Sequence, residues 1–240
     1  MSENRLKEMK YPGRGVVVGV TIDDKVFGAT FITGRSEPSK ARKYVQNGNI
    51  ISTEPTDPET LDKGNPDLLL YNAIAYYGGA GILALSNGKQ TDSIMTGTLC
   101  GNMTLKDCTR QWNYEPDKLA TPRINGRISI PKGCPGFAIA ELGAILQDED
   151  GSTLRAEYPV MIMTETQRGC AAVITTYAGG YDDVKSYREK PFFVAVKGNS
   201  AEDICAEFSE MLDQNLIVGV ATAVISKKGV PEYKIMNFRM

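Results

Sequence analysis

Residues 15–33 read Gly-Val-Val-Val-Gly-Val-Thr-Ile-Asp-Asp-Lys-Val-Phe-Gly-Ala-Thr-Phe-Ile-Thr, and this stretch decides the fold. Residues 15–22 are β-branched and apolar at odd and even positions alike, which is typical of a strand that is buried on both faces. The polar triplet Asp23-Asp24-Lys25 predicts a turn, and residues 26–33 predict a second, returning strand. A hairpin buried on two sides needs a further layer on each side.

The rest of the chain supplies such layers. A helix is predicted over residues 39–45, behind Pro38, and another begins at Thr104. A third, amphipathic helix follows a cap at Asn199 or Ser200. Further strands are predicted at residues 68–70, 81–85, 137–146, 158–163, 171–177, 192–196, 216–225 and 233–238. Many strands, few helices and no regular βαβ alternation predict an α+β protein with two stacked sheets and helices outside.

Length and charge limit the alternatives. The 240 residues are 42% hydrophobic, which is enough to bury a large core. No linker divides the chain, and residues 53–66 are interpreted as one surface loop, so a single domain over 1–240 is expected. The net charge of −2 gives no general reason to bind nucleic acid or an anionic membrane. The sequence contains no apolar stretch of membrane-spanning length, and its charged first ten residues do not resemble a signal peptide.

Residue types and motifs that the sequence lacks exclude several classes of catalytic and metal site. The sequence has no histidine, which removes Ser-His-Asp and Cys-His triads and most transition-metal sites. Its five cysteines never occur as Cys-x-x-Cys, so reduced thiols in a cytoplasm are expected rather than disulfides or zinc. We therefore expect a cytoplasmic protein without a metal site.

Polar clusters interrupt apolar sequence between residues 71 and 123. Tyr71-Asn72 follows one predicted strand, and Ser86-Asn87-Gly88 with Thr91-Asp92 follows the next; Tyr114-Glu115 and Thr121-Pro122-Arg123 come later. These groups can bind a polar anion and move its protons. The same residues are also ordinary turn and helix-cap chemistry, and this alternative stays open.

A second candidate site surrounds the predicted helix at residues 39–45. Arg35, Lys40, Arg42 and Lys43 lie on or beside it, and a helix N-terminus close to cations suits a phosphate group. A solvated basic helix face explains the same residues without a ligand.

Five fragments in this order resemble the archaeal-type IMP cyclohydrolase family. They are Tyr11-Pro-Gly-Arg14, Gly34-Arg35-Ser36-x-Pro38, Tyr71-Asn72, Ser86-Asn87-Gly88 with Thr91-Asp92, and Tyr114-Glu115-x-Asp117-x-Leu119-x-Thr121-Pro122-Arg123. Thr175-Thr176-Tyr177 is a weaker sixth match. The chain differs from the family pattern at Lys40, where the family has arginine, and in its greater length after Pro131.

The resemblance implies a fold and an activity. The fold is a four-layer αββα sandwich like that of the N-terminal-nucleophile hydrolases. The activity closes a formylated aminoimidazole carboxamide ribonucleotide (FAICAR) to IMP, in the last step of purine synthesis, and needs no cofactor. Tyr71, Glu115 and Arg35 are the expected catalytic residues. The expected substrate-binding residues are Arg14, Ser36, Lys40, Asn72, Asn87, Gly88, Thr91, Asp92, Thr121, Arg123 and Tyr177.

Two other functions compete with the cyclohydrolase. The fold suggests an N-terminal-nucleophile amidohydrolase, which requires Ser, Thr or Cys as the first residue of the opening strand; Ser2 is too far from that strand, and no other candidate begins it. A purine-nucleotide-binding relative without catalysis is the third hypothesis. Because sheet edges favour symmetric association, a homo-oligomer is also expected.

Overall fold

Antiparallel sheets make up most of the structure. The computed structural model describes residues 5–61, 63–101, 103–131, 137–163 and 167–239. Its strands are β1 (Arg14–Val20), β2 (Val26–Thr33), β3 (Arg42–Asn47), β4 (Ile50–Pro55), β5 (Asn72–Tyr77), β6 (Ile82–Ser86), β7 (Arg123–Ser129), β8 (Phe137–Gln147), β9 (Thr153–Met163), β10 (Cys170–Thr175), β11 (Phe192–Ala195), β12 (Ile217–Ile225) and β13 (Pro231–Asn237). Within the described residues they form a six-stranded sheet, β11-β10-β1-β2-β12-β13, and a seven-stranded sheet that runs from β3 to β9 in chain order.

The hairpin of residues 15–33 lies at the centre of the six-stranded sheet. β1 and β2 pair from Arg14 opposite Ile32 to Val20 opposite Val26, while β10 flanks β1 and β12 flanks β2. Every residue of both hairpin strands is buried. The burial on two sides that the sequence predicts is therefore confirmed.

The described residues form seven helices, and three of them cover the outer faces of the sheets. The seven are α1 (Arg5–Glu8), α2 (Glu37–Lys40), α3 (Pro58–Leu61), α4 (Pro66–Leu69), α5 (Gln90–Gly101), α6 (Leu105–Cys108) and α7 (Ala201–Glu210). α7 packs on β12 and β13, whereas α5 packs on β5, β6 and β7, and α6 on β8 and β9. The predicted α+β sandwich, with two stacked, mainly antiparallel sheets and outer helices, is confirmed.

The main core lies between the sheets, where small residues allow a close approach. β1 contacts β7 and β8, and β2 contacts β5 and β6. A Cβ atom on Gly126 would lie 2.9 Å from a methyl carbon of Val16, so any larger residue there would push the layers apart. Close packing of this kind fixes the position of the strand ends that carry the polar groups described below.

The prediction of a helix over residues 39–45 is wrong. α2 ends at Lys40, and β3 begins at Arg42. Arg42 and Tyr44 are buried, whereas Lys43 and Val45 are half-buried. This alternation has the period of a strand, and pairing with β4 outweighs the helical propensity of the basic residues.

Two further local predictions need correction. Residues 68–70 do not form a strand, because α4 begins at Pro66 after an Asn65 cap whose side chain accepts a hydrogen bond from the Asp67 N–H. Residues 53–66 are not one loop, since β4 and α3 occupy part of them. Both α3 and α4 begin with a proline, Pro58 and Pro66, which favours a helix start.

Candidate active site

An open cleft of about 610 Å³ lies where the first strands meet. Because β1, β2 and β10 are antiparallel neighbours, the start of β1 and the ends of β2 and β10 share one edge of the sheet. The start of β3, the segment before α4 and the loop after Glu115 complete the walls. The lining residues are Tyr11, Gly13, Arg14, Thr33, Arg35, Ser36, Pro38, Ser39, Arg42, Lys63, Gly64, Asn65, Leu68, Leu69, Glu115, Asp117, Lys118, Leu119 and Tyr177.

A buried ion pair forms the floor of this cleft. Arg14 Nη1 and Nη2 donate to Glu115 Oε1 and Oε2 at 2.9 and 2.7 Å, and the two residues are only 8% and 2% exposed. Burial acts to lower the pKa of Arg14, but the charge and hydrogen bonds of Glu115, together with the phenols of Tyr71 and Tyr177, outweigh it and raise that pKa. A two-point pair of this kind fixes the carboxylate plane relative to the cleft.

Glu115 is positioned by a short closed loop. Its N–H donates to the Thr121 carbonyl at 2.9 Å. The carboxylate of Asp117 accepts from both the N–H and the hydroxyl of Thr121, at 2.8 and 2.6 Å. Arg123, just beyond the loop, has its Nη1 3.8 Å from Glu115 Oε1. The Thr-Pro-Arg turn in the sequence is thus the frame that holds the acidic residue.

Asn87 ties this frame to the seven-stranded sheet. Its Nδ2 donates to the Pro122 carbonyl at 2.9 Å, and its Oδ1 accepts from the Ile124 N–H at 2.8 Å. The backbone carbonyl of Asn87 faces Arg14 Nη1 at 3.4 Å. Gly88 lies against Arg123, since a Cβ there would be 2.5 Å from Nη1. Both residues support the floor and do not line the cleft.

Tyr177 brings a hydroxyl to the opposite wall. It shares a hydrogen bond of 2.7 Å with Thr121, and its ring stacks on Tyr11 at 5.4 Å. Burial raises the pKa of Tyr177 to about 12, so the phenol stays protonated near neutral pH. Gly13 passes beneath this pair with φ +74°, and a Cβ there would be 2.2 Å from Thr176 Oγ1, which leaves room only for glycine.

Tyr71 lies behind the floor and does not line the cleft. It is 6% exposed, and its N–H donates to Thr53 Oγ1 at 2.9 Å. Its phenol raises the pKa of both Arg14 and Arg42, so Tyr71 acts electrostatically on two arginines that do line the cleft.

Arg35 and Ser36 occupy the rim. Arg35 is exposed, donates to the Tyr181 carbonyl at 2.7 Å, and lies over the rings of Tyr11 and Tyr181 at 5.5 and 6.0 Å. Lys40 is half-buried and is not among the lining residues; its side chain packs against Gly34.

Three predicted substrate-binding residues lie outside the cleft lining, at the start of β5 and of α5: Asn72, Thr91 and Asp92. Asn72 Nδ2 donates to Asp92 Oδ1 at 2.8 Å. Thr91 Oγ1 and Ser86 Oγ share a hydrogen bond of 2.5 Å. Asp92 borders a separate depression between α5 and α6.

Arg42 belonged to the second candidate site of the sequence, on the predicted helix of residues 39–45, for which a solvated basic face was the alternative. In the structure it is a strand residue that is 2% exposed and lines the cleft. The alternation of Arg42 with Tyr44 was the available signal. Lys63 and Lys118 also line the cleft, and no motif identified their contribution. Asp117 lines it too and was part of a quoted motif, but no role was predicted for it.

The described residues show no arrangement for a metal ion and no membrane span. No group of three or more His, Cys, Asp or Glu side chains among them is placed to hold a metal. No described helix is long and apolar enough to cross a membrane.

Fold and cleft together define a class. An αββα sandwich with a polar, arginine-rich cleft of several hundred Å³ has the size of a small-molecule site. The chain belongs to the IMP cyclohydrolase-like family, whose sequence model matches residues 11–229. It is 28% identical over 221 residues to the IMP cyclohydrolase of Methanocaldococcus jannaschii, a match that covers 92% of this chain and 96% of that protein. The family resemblance found in the sequence is confirmed.

Proposed function

We propose that this protein is an IMP cyclohydrolase, which closes FAICAR to IMP with loss of water. The observation that carries the proposal is the Arg14–Glu115 pair, a buried carboxylate at the floor of a cleft of about 610 Å³. The name of the relative and the family match support the same reaction. The cleft also offers cations for an anionic ribonucleotide.

The enzyme must position the two reacting groups of the substrate and transfer their protons. The carboxamide nitrogen attacks the formyl carbon, and a new C–N bond closes the ring. The formyl oxygen leaves as water, with one proton from the carboxamide nitrogen and one from the formamido nitrogen. Because both reacting groups are on one molecule, holding the correct rotamer supplies much of the rate.

Glu115 is the proposed proton-transfer group. Both of its oxygens accept from Arg14, and each carboxylate oxygen keeps a second lone pair that can take a proton from the substrate. The two-point pair with Arg14 holds the carboxylate plane during that transfer. Tyr71 lies behind the floor, and its proposed contribution to the developing oxyanion is made through its electrostatic effect on Arg14 and Arg42.

Arg35 fits a binding role better than a role at the reacting atoms. Its guanidinium is exposed at the rim and stacks on two tyrosines, where it can reach the phosphate or ribose of a nucleotide. Ser36 lies beside it on the same wall.

The amidohydrolase alternative finds no support at the start of β1. The strand begins with Arg14, whose side chain is engaged with Glu115, and Ser2 lies outside the described residues. A Ser, Thr or Cys nucleophile is therefore absent from the place where that chemistry would need it, within the part of the chain that is described.

The test is a continuous absorbance assay of IMP formation from FAICAR. Turnover by the purified protein supports the proposal. Nucleotide binding without turnover would instead identify a non-catalytic relative. Intact-mass measurement separates the amidohydrolase, because that enzyme would have been processed to a free Ser, Thr or Cys terminus.

A further inference from the structure

Arg42 is a buried cation whose bonding is incomplete. Its Nε donates to the Ser39 carbonyl at 3.1 Å, but its Nη1 is buried and has no hydrogen-bond partner. Among the described residues no carboxylate forms a salt bridge with it. A buried, unsatisfied donor on a charged group is costly to the fold, so a ligand that completes its bonding is expected.

Arg42 lines the same cleft as Arg14 and Glu115, the ion pair at its floor. The phenols of Tyr71 and Tyr44 and the charges of Arg14 and Glu115 all contribute to its pKa, which burial lowers. Arg42 therefore belongs to the same charged group as the proposed proton-transfer residue. Exposed cations lie elsewhere, at the rim, where Arg35, Lys63 and Lys118 border the opening.

Two substrate anions compete for this arginine. One is the phosphate, a strongly hydrated dianion that the ribose separates from the reacting substituents of the base. The other is the oxygen of the formyl carbon, which becomes negative only as the ring closes. A preorganised, water-shielded donor stabilises a charge that appears during reaction more effectively than one already present in the substrate.

We infer that Arg42 is a further catalytic residue, whose guanidinium hydrogen-bonds the formyl oxygen as the carboxamide nitrogen attacks. This inference rests on the proposed function. As the C–N bond forms, the C=O π electrons move to the oxygen that faces Arg42. The oxygen then takes up the two substrate protons and leaves as water, so no oxidant, reductant or further reactant is needed.

The test separates the two anions by kinetics. Arg42→Met should lower kcat by about 10²–10³-fold and change KM by only a few-fold, as expected for loss of an oxyanion donor. Arg42→Lys keeps a charge without the planar fork and should recover part of kcat. If Arg42→Met does not fold, judged by circular dichroism, the kcat loss of Arg42→Lys carries the test. The matched control is Arg127→Met, because Arg127 is a buried arginine on β7 that pairs with Glu141 away from the cleft; its kcat should stay within a few-fold of wild type.

A substrate without phosphate gives a second readout. With the formylated nucleoside, the ratio of wild-type to Arg42→Met kcat/KM should equal the ratio measured with the nucleotide. A variant that raises KM at unchanged kcat, or whose defect vanishes with the nucleoside, would identify a phosphate ligand and overturn the inference. An unchanged variant would also overturn it. In each of these outcomes an active wild type leaves the proposed function intact, whereas an inactive wild type removes both.

Discussion

The floor and the rim of the cleft are built differently. At the floor, Arg14, Glu115 and Arg123 are buried and held by hydrogen bonds to one another or to backbone carbonyls. At the rim, Arg35 and Lys118 are exposed to solvent. The floor is therefore fixed by folding before any ligand arrives, while the rim cations remain hydrated.

This difference in burial predicts that the floor residues act in catalysis and the rim residues in substrate binding. Electrostatic groups accelerate a reaction most when they are preorganised and shielded from water. Exposed cations contribute modestly, and salt screens them. Changes at the floor should therefore act on kcat, and changes at the rim should act on KM.

Loss of the floor carboxylate should have the largest effect. Glu115→Gln removes the proton acceptor and leaves Arg14 without its charged partner, so kcat should fall by about 10²–10⁴-fold. Steady-state kinetics of IMP formation measure the change.

The control for this variant is Glu141→Gln. Glu141 pairs with Arg127 in a comparable, largely buried contact outside the cleft. It should lose thermal stability without loss of kcat. Equal kcat losses in the two variants would show that the effect of Glu115 is only structural.

Loss of the Tyr71 hydroxyl, behind the floor, should have the second-largest effect on kcat. Tyr71→Phe keeps the ring in the core but removes the O–H group that acts electrostatically on Arg14 and Arg42, and kcat should fall by about 10²–10³-fold. Tyr76→Phe serves as control, because the Tyr76 hydroxyl donates to the Gly229 carbonyl and takes no part in the cleft. A Tyr71→Phe enzyme with normal kcat and raised KM would make Tyr71 a binding residue.

A rim change should be much smaller. Arg35→Ala should raise KM by about two- to fivefold at constant kcat, the size expected for one exposed charge contact. The wild-type KM should rise with ionic strength, and the variant should respond less steeply. Arg5→Ala is the control, since Arg5 also lies over two aromatic rings, at 5.3 Å each, but away from the cleft. A large kcat loss in Arg35→Ala would contradict the division between floor and rim.

Chelation should have no effect. Ring closure with loss of water is not a redox reaction and transfers no phosphoryl group, and the proposed mechanism uses only side chains. Activity after exhaustive dialysis against EDTA should equal that of the untreated enzyme. Loss of activity that Mg²⁺ or Zn²⁺ restores would contradict the assignment of Glu115 and Tyr71.

Strong local patterns predicted the frame of the molecule. The hairpin of residues 15–33 and the helix capped at Ser200 follow from burial on both faces and from a capping box, which are signals contained within a few residues. The prediction of a helix over residues 39–45, after Arg35, failed for the opposite reason. Its conformation depends on pairing between β3 and β4, a tertiary contact that outweighs local propensity.

Local sequence patterns also identified only part of the candidate site. The sequence pointed to Arg14, Glu115 and Tyr177, and the structure brings all three to one cleft. It also pointed to Asn72 and Asp92, which bond to each other elsewhere. The inward direction of Arg42 was out of reach, because a residue reveals its face only when the register of its strand is known.

The Asn87-Gly88 bond has a consequence for how the protein ages. Asparagine before glycine is the dipeptide whose side-chain amide is attacked most readily by the next backbone nitrogen, and the product is aspartate or isoaspartate. In the folded chain the Asn87 amide is buried and fixed by Pro122 and Ile124, which withholds the flexibility that the attack needs. Once deamidated, a carboxylate would face the Pro122 carbonyl, two acceptors without a proton between them. Damage at this one amide, acquired while the chain is unfolded, would therefore loosen the frame of Glu115 when the chain folds again.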